Sequence, residues 1–381
     1  KIKVKNPARD LTLFDVHSLP DDLFVQPGEK TPNRIGFSKY ASYINTVAEQ
    51  KYGRPLVVAM SADLADSTNI SGFAKEYGGT KSKGFYDKEK NPNSPLMPQG
   101  ITEFTNAGMM AGLATVNFSE DTYKEFNGFY GAMSTYGSFS YLKYGPLRLF
   151  SQIVQDSDLK VGKVIWVAGH SGPETAEDSR THFGIFAPGV TQLFPEGQII
   201  NLHPWEHNEV APCLAAALST DVALIVLHLT RPPITIPDRQ ALGMASHMDA
   251  ARGAYIIKDY DHNVDKKGVV IIRGTSSTNS LVEILPRLTE EGPNVKIVAA
   301  VSWELFQRQL EDYQYSVISG KEWQDAMVIT NGALRLMHKW IANRIVEEYS
   351  LSPDFDNRWR TGGSLEQIIK ESKLDPQSVW Y

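Results

Sequence analysis

At 381 residues the chain is too long for one ordinary domain, and two or three are expected. Apolar residues make up 42% and charged residues 22%, the balance of a folded globular protein rather than a disordered or fibrous one. The net charge of −6 arises from acids and bases mixed along the chain with no basic arm, which argues against nucleic-acid binding.

No run of about 18 apolar residues occurs, so no membrane span and no membrane partner are expected. The opening Lys1-Ile2-Lys3-Val4-Lys5 has no apolar core behind it and does not read as a signal peptide. It also lacks an initiating Met, as expected of a chain that is trimmed or begins inside a longer product. Cys213 is the single cysteine, which rules out an internal disulfide or a cysteine metal cluster and fits a reducing, cytoplasmic compartment.

Residues 1–34 show no period and read as an arm or linker. Tyr40, Ile44 and Val47 fall at helical spacing and predict a helix over 38–51. Pro55 to Met60 is a short apolar run that empties into polar Ser61-Ala62-Asp63, the pattern of a buried parallel strand. Residues 71–100 carry Gly, Lys, Asn and Pro without period and predict a long loop. Helices are expected over Asn106–Thr115 and Tyr144–Val154, and strands at Lys163–Ala168, Gln198–Leu202 and Val222–Leu227. Prolines at 232, 233 and 237 mark a boundary, after which strands at 268–272, 295–301 and 326–329 alternate with a helix at 276–288. The fold class is therefore α/β, with two domains of mainly parallel sheet flanked by helices. An N-terminal arm (1–34), a first domain (35–232), a linker (233–250) and a second domain (251–381) are expected.

Ligands of open parallel sheets bind at the carboxyl ends of the strands. Polar or aromatic clusters stand at such places in Ser61–Ser67, Gly100–Phe104, Ser134–Phe139 and His170–His182. Each has an ordinary structural reading as well. Glu103 complements a helix dipole, Asp63 caps a helix, Tyr136 and Phe139 pack a core, and Arg231 is a surface cation. His203 and His207 have a metal-like spacing, but Pro204 lies between them and no third ligand is evident, so they read as structural.

Four motifs in order resemble the transketolase family. They are Ser61-Ala62-Asp63-Leu64-Ala65-Asp66-Ser67, Gly100-Ile101-Thr102-Glu103-Phe104, Ser134-Thr135-Tyr136-Gly137-Ser138-Phe139, and His170 followed by Glu177-Asp178 and Thr181-His182, the two histidines twelve positions apart. The resemblance implies the pyrimidine-binding and C-terminal domains of a thiamine diphosphate-dependent enzyme that transfers a two-carbon ketol unit from a ketose to an aldose. It makes Glu103 the carboxylate that bonds the aminopyrimidine and so activates the cofactor, a role that suits an acid held against a ring away from water. Tyr136 and Phe139 would seat the pyrimidine, and Asp63 would lie near the thiazolium. His170, His182 and Asp178 would meet the sugar. Ser67 and Arg231 match phosphate contacts, and Lys39 stands where the family has a second phosphate arginine, with Arg34 a remote substitute.

Two departures touch the substrate mouth. Ser179-Arg180 replaces the family's Gly-Pro, and Phe183-Gly184 replaces its Gln-Pro. The Gly-Asp-Gly that holds magnesium and the diphosphate in the family occurs nowhere in the chain. A separate diphosphate-binding subunit or domain is thus an implied partner, together with self-association, sugar phosphate substrates and Mg2+ held mainly by the missing part. The alternatives are another thiamine diphosphate enzyme (deoxyxylulose phosphate synthase-like, or the β-type subunit of a 2-oxo acid dehydrogenase) or a non-catalytic module. Arg273-Gly274-Thr275-Ser276-Ser277 follows a strand and reads either as an anion site or as a helix cap.

Overall fold

Five segments of the first half bury every residue, which requires strands covered on both faces. A computed structural model describes residues 5–62, 64–77, 84–177, 179–360 and 362–381. In chain order the first half carries β1 (Lys30–Thr31), β2 (Val57–Ser61), β3 (Tyr130–Tyr136), β4 (Val164–Gly169), β5 (Ile199–Leu202), β6 (Leu224–His228) and β7 (Ile234–Thr235). Its helices are α1 (Asn33–Tyr52), α2 (Glu103–Thr115), α3 (Tyr144–Asp156), α4 (Ala187–Thr191) and α5 (His207–Ser219). Strands β2 to β6 form a parallel sheet in the order β2-β3-β4-β6-β5.

Alternation along the strands sorts their side chains onto two faces. Ala59, Ala132, Ile165 and Ile225 pack with Phe37, Tyr40 and Ile44 of α1 and Val210 and Leu214 of α5. Val58, Met133, Trp166 and Val226 pack on the other side with Ala107 and Met110 of α2 and Leu147 and Phe150 of α3. The sheet is thus sandwiched between helices, the α/β layering expected from the sequence. Helix α1 begins at Asn33, earlier than its apolar period indicates, because the Asn33 amide is itself buried: Nδ2 donates to Pro204 O (2.9 Å) and Oδ1 accepts from Thr230 N (2.9 Å). It ends at Gly53 in the left-handed conformation (φ 72°), which closes the last turn. Strand β3 has no counterpart in the sequence reading. Its Gly131 lets α2 pack directly on the sheet, since a Cβ there would stand 2.6 Å from Met110 O.

The second half holds β8 (Ala254–Lys258), β9 (Gly268–Arg273), β10 (Val295–Ala300) and β11 (Ala326–Thr330), with α6 (Thr275–Glu291) after β9. The sheet order is β11-β9-β10-β8, parallel except for the antiparallel edge strand β8. Among the described residues no helix is long and apolar enough to cross a membrane.

Segments without a period in the sequence are packed rather than loose. Leu13, Phe14 and Leu23, from the stretch before α1, join the core under that helix, and Tyr40 Oη donates to Leu13 O (3.1 Å). β1 pairs with β7, which fastens this stretch to residues 233–250. From that segment Arg239 enters the boundary between the halves. Its Nη2 meets Glu206 Oε1 and Glu209 Oε1, each at 2.9 Å, and its Nη1 donates to Tyr255 Oη of β8 (3.2 Å). Tyr255 also donates to Glu209 and accepts from Trp205 Nε1 (2.9 Å). The core continues across this boundary, from Trp205 and Leu229 to Ile272, Ile297 and Val301.

Candidate active site

Register brings the separated motifs together. Ser61 at the end of β2 lies opposite Ser134 of β3, and Tyr136 at the end of β3 lies opposite Gly169 of β4. Three motif segments therefore leave neighbouring strands at their carboxyl ends, where parallel sheets bind ligands. Hydroxyls tie them: Ser134 Oγ bonds Ser61 Oγ (2.9 Å) and Thr68 Oγ1 (2.7 Å), and Ser67 Oγ lies 3.2 Å from Tyr136 Oη.

Glu103 is the first residue of α2 and is 6% exposed. Its Oε1 accepts a hydrogen bond from Thr135 Oγ1 at 3.0 Å, which fixes the carboxylate against the end of β3. Close by, Lys143 is fully buried, and its Nζ has no hydrogen-bond partner among the described residues. Burial pulls the Lys143 pKa well below the ordinary lysine range, against the opposing pull of the Glu103 charge.

The Tyr136 ring stacks on His170 (centroids 4.0 Å, planes 15° apart) and meets His182 on a tilt at 4.3 Å. His182 also faces the edge of Phe139 at 5.9 Å. His170 has a left-handed backbone (φ 60°) at the exit of β4, where the chain must turn sharply. A Cβ at Gly184 would collide with the His170 carbonyl, and one at Gly137 would reach within 2.9 Å of it. The Phe183-Gly184 departure thus makes room for the His170 turn. Phe139 lines a cavity of about 560 Å³ with Arg180, Thr181, Phe183, Phe186 and Trp359. Trp359 comes from the C-terminal segment and packs edge-on against Phe183 and Phe186. No motif in the sequence points to it.

Arg34 and Arg231 line a second cavity, of about 370 Å³, with Glu177. Arg34 Nη1 also donates to Ser67 O, so this cavity adjoins the Ser67 motif through Arg34. Lys39 does not join them. It lies five residues further along α1, about 140° round the helix, and its Nζ donates to Asp22 O (3.0 Å). Asp63 and Asp178 lie outside the described residues. His203 stacks on His228 (4.3 Å), whereas His207 bonds Leu23 O (3.1 Å) and Thr31 Oγ1 (3.3 Å), so the pair faces different surroundings. Among the described residues no three His, Cys, Asp or Glu side chains gather as metal ligands.

Comparison with known proteins gives two family matches. Residues 41–234 match the pyrimidine binding domain of transketolase, and residues 253–349 match the transketolase-like C-terminal domain. A transketolase of Nostoc sp. is 30% identical over 269 residues, covering 69% of this chain and 34% of that protein. The solved transketolase from Leishmania mexicana superposes with a TM-score of 0.70 at 17% identity, covering 99% of this chain and 47% of that one. A protein described as a split gene transketolase, inactive β4 tetramer, superposes with a TM-score of 0.54 at 17% identity, covering 89% of this chain and 94% of its own. The chain spans less than two thirds of the length of the curated relatives it matches.

Proposed function

The chain belongs to the transketolase family, and from that premise we propose that it is the pyrimidine-binding part of a thiamine diphosphate-dependent transketolase that moves a two-carbon ketol unit from a ketose phosphate to an aldose phosphate. The observation that carries this reading is the buried Glu103 carboxylate, anchored by Thr135 beside the ring cluster of Tyr136, His170, His182 and Phe139. A carboxylate and aromatic rings at one strand end are the donor set that an aminopyrimidine needs, and these residues fit that half of the cofactor.

When bound, thiamine diphosphate supplies a thiazolium carbon that, once deprotonated, adds to the donor carbonyl. The protein's own work is to hold and steer. Glu103 bonds the pyrimidine ring nitrogen and shares a proton with it. Phe139 packs the ring, and the Tyr136 stack fixes the wall behind it. His182 bonds the sugar's hydroxyl and carbonyl oxygens and His170 contributes to the substrate's phosphate end, with Asp178 and Asp63 assigned by motif alone. Arg231, Arg34 and Ser67 take the substrate phosphate. An arginine pair suits a dianion, because each guanidinium donates in a fork, and Arg34 takes the place first given to Lys39.

The diphosphate and its Mg2+ need a second polypeptide or domain, since no Gly-Asp-Gly occurs in the sequence. Ile101, Phe104 and Met109 on and before α2, and Leu149 and Ile153 on α3, are exposed. Large apolar side chains concentrated on two neighbouring helices favour a protein partner there. The split-gene neighbour supports the reading of a subunit that self-associates without activity and completes its site with a diphosphate-binding chain. The lone cysteine, Cys213, is a buried free thiol, which supports a cytoplasmic setting.

Native mass spectrometry on complexes from the source tests the assembly. A second chain with bound thiamine diphosphate is expected, and the complex should use a ketose phosphate rather than pyruvate as donor. Complexes that bind the cofactor yet transfer no ketol unit, or a Glu103→Gln complex with an undiminished rate, would sink the proposal.

A further inference from the structure

A third cavity, of about 340 Å³, lies where the two halves meet, and it shares no residue with the candidate active site. One wall is Asn201 and His203, at the end of β5 and just beyond it. The other is Arg273 at the end of β9, with Trp303 and Glu304 just past β10, and Trp340. The cavity thus takes in the carboxyl ends of two strands of the second sheet, where parallel sheets bind ligands.

One of its cations is under-bonded. Arg273 is 4% exposed, and its Nη2 meets no acceptor among the described residues. Nη1 has only a long contact with Leu336 O (3.4 Å). A buried guanidinium normally has its donors satisfied, so this one has the capacity for an added acceptor. The other charges of the cavity are engaged. Lys339 pairs with Glu196 (3.0 Å) and Arg308 with Asp221 (3.3 Å), both at the exposed rim. Glu304 accepts from Asn201 N (3.2 Å) and Asn201 Nδ2 (3.3 Å). Burial lowers the Arg273 pKa to about 10 against the opposing pull of the nearby Glu304 carboxylate, so the group still carries its charge near neutrality. His203 is held neutral chiefly by burial, with the Arg273 charge adding to the effect, and it does not compete for the anion. On the same wall as Arg273, Trp303 and Trp340 meet edge-to-face at 5.0 Å and form an aromatic face.

We propose that this cavity binds a small organic anion, an oxyanion on a planar apolar body, with Arg273 gripping the oxyanion and Trp303 and Trp340 packing the body. Because Asn201 and Arg273 come from different halves, the bound anion bridges the two. The site therefore has the placement of a modulator's site rather than a substrate's.

Phenyl phosphate is the probe, titrated into the full chain while the indole N–H resonances of its seven tryptophans are followed. Saturable binding tighter than about 1 mM is expected, with shifts confined to Trp303, Trp340 and the adjoining Trp323. Inorganic phosphate alone and phenol alone should each bind at least tenfold more weakly, since each lacks one half of the ligand. Arg273→Gln should weaken phenyl phosphate at least tenfold. Arg273 is buried, so that variant is first checked for an unchanged indole spectrum. If it does not fold, the resonance map of the parent chain decides. No saturation in that range, shifts spread to Trp166, Trp205 or Trp359, or equal affinity for the Arg273→Gln chain overturns the proposal.

Discussion

Thr135 Oγ1 donates to Glu103 Oε1 at 3.0 Å, which ties the first residue of α2 to the end of β3. The bond fixes which lone pairs of the carboxylate remain for a ring nitrogen. A hydrogen bond to a charged group contributes about 1.5–3 kcal/mol, so Thr135→Val should lower kcat of the assembled enzyme by about ten- to a hundredfold. Thr135→Ser keeps the hydroxyl and should recover most of the rate. Steady-state kinetics on both variants, with melting temperatures as a control, check this. Equal rates for valine and serine would show that Thr135 does not orient Glu103.

The boundary between the halves depends on Arg239. Its guanidinium meets two carboxylates and a tyrosine hydroxyl in surroundings closed to water. Arg239→Met leaves Glu206 and Glu209 as buried neighbours without a cation, and breaking such a cluster costs about 3–5 kcal/mol. Urea denaturation should show that loss, and it should be accompanied by a change in Trp205 fluorescence, since Tyr255 would no longer be held against Trp205.

The α/β class and most strands were legible because β4, β6, β9 and β10 are apolar runs that bury both faces. β3 was not legible. Gly131, Ser134 and Thr135 are small or polar because α2 packs on that strand and its end forms the site, so neither feature produces an apolar run. The residues before α1 lack a period because they fold as short single turns, three of which bury one residue each, Pro7, Leu13 and Leu23. Motif spacing pointed to Glu103, His170 and His182, which the structure brings to neighbouring strand ends. Choosing Arg34 over Lys39 needs the phase of α1, and that phase is set by the buried Asn33 rather than by the apolar pattern. Trp359 reaches the Phe139 cavity from more than 200 positions away, and no local pattern records that.

Glu174 links the halves in a pH-dependent way. Its Oε1 accepts from Ser276 N (3.2 Å) at the start of α6 and from Asn331 Nδ2 (3.2 Å), while Oε2 meets no donor among the described residues. Burial raises its pKa from 4.5 to about 7. Below 4.5 the folded and unfolded chains both hold the proton, and the full stability is present. As pH rises toward 7 the unfolded chain releases the proton first, and up to about 3 kcal/mol is lost. Glu174→Gln keeps an acceptor for Ser276 and adds no charge. Its advantage over the parent should be near zero at pH 4.5 and greatest above 7. Chemical denaturation across that range measures it, and an advantage independent of pH would assign the effect to packing instead.

Lys143 is the remaining buried charge beside Glu103, and its sign runs the other way. The folded-state pKa lies well below 10.5, chiefly through burial, so the unfolded chain takes up a proton first as pH falls below that value. Stability from this group is therefore complete above 10.5 and is lost as pH falls through the folded pKa. Methionine has a similar length and needs no hydrogen bond, so Lys143→Met should stabilise the chain by about 1–3 kcal/mol near neutrality. The gain should shrink toward zero above 10.5. The rate of the proposed ketol transfer separates two reasons for keeping such a costly residue. If Lys143 only fills space, the methionine variant keeps the parent's pH–rate profile. If its charge takes part in the reaction, the profile shifts, because Lys143 is the group whose titration the Glu103 charge opposes. A variant that is less stable than the parent at every pH would mean that the ammonium has a strong partner and that burial does not dominate its energetics.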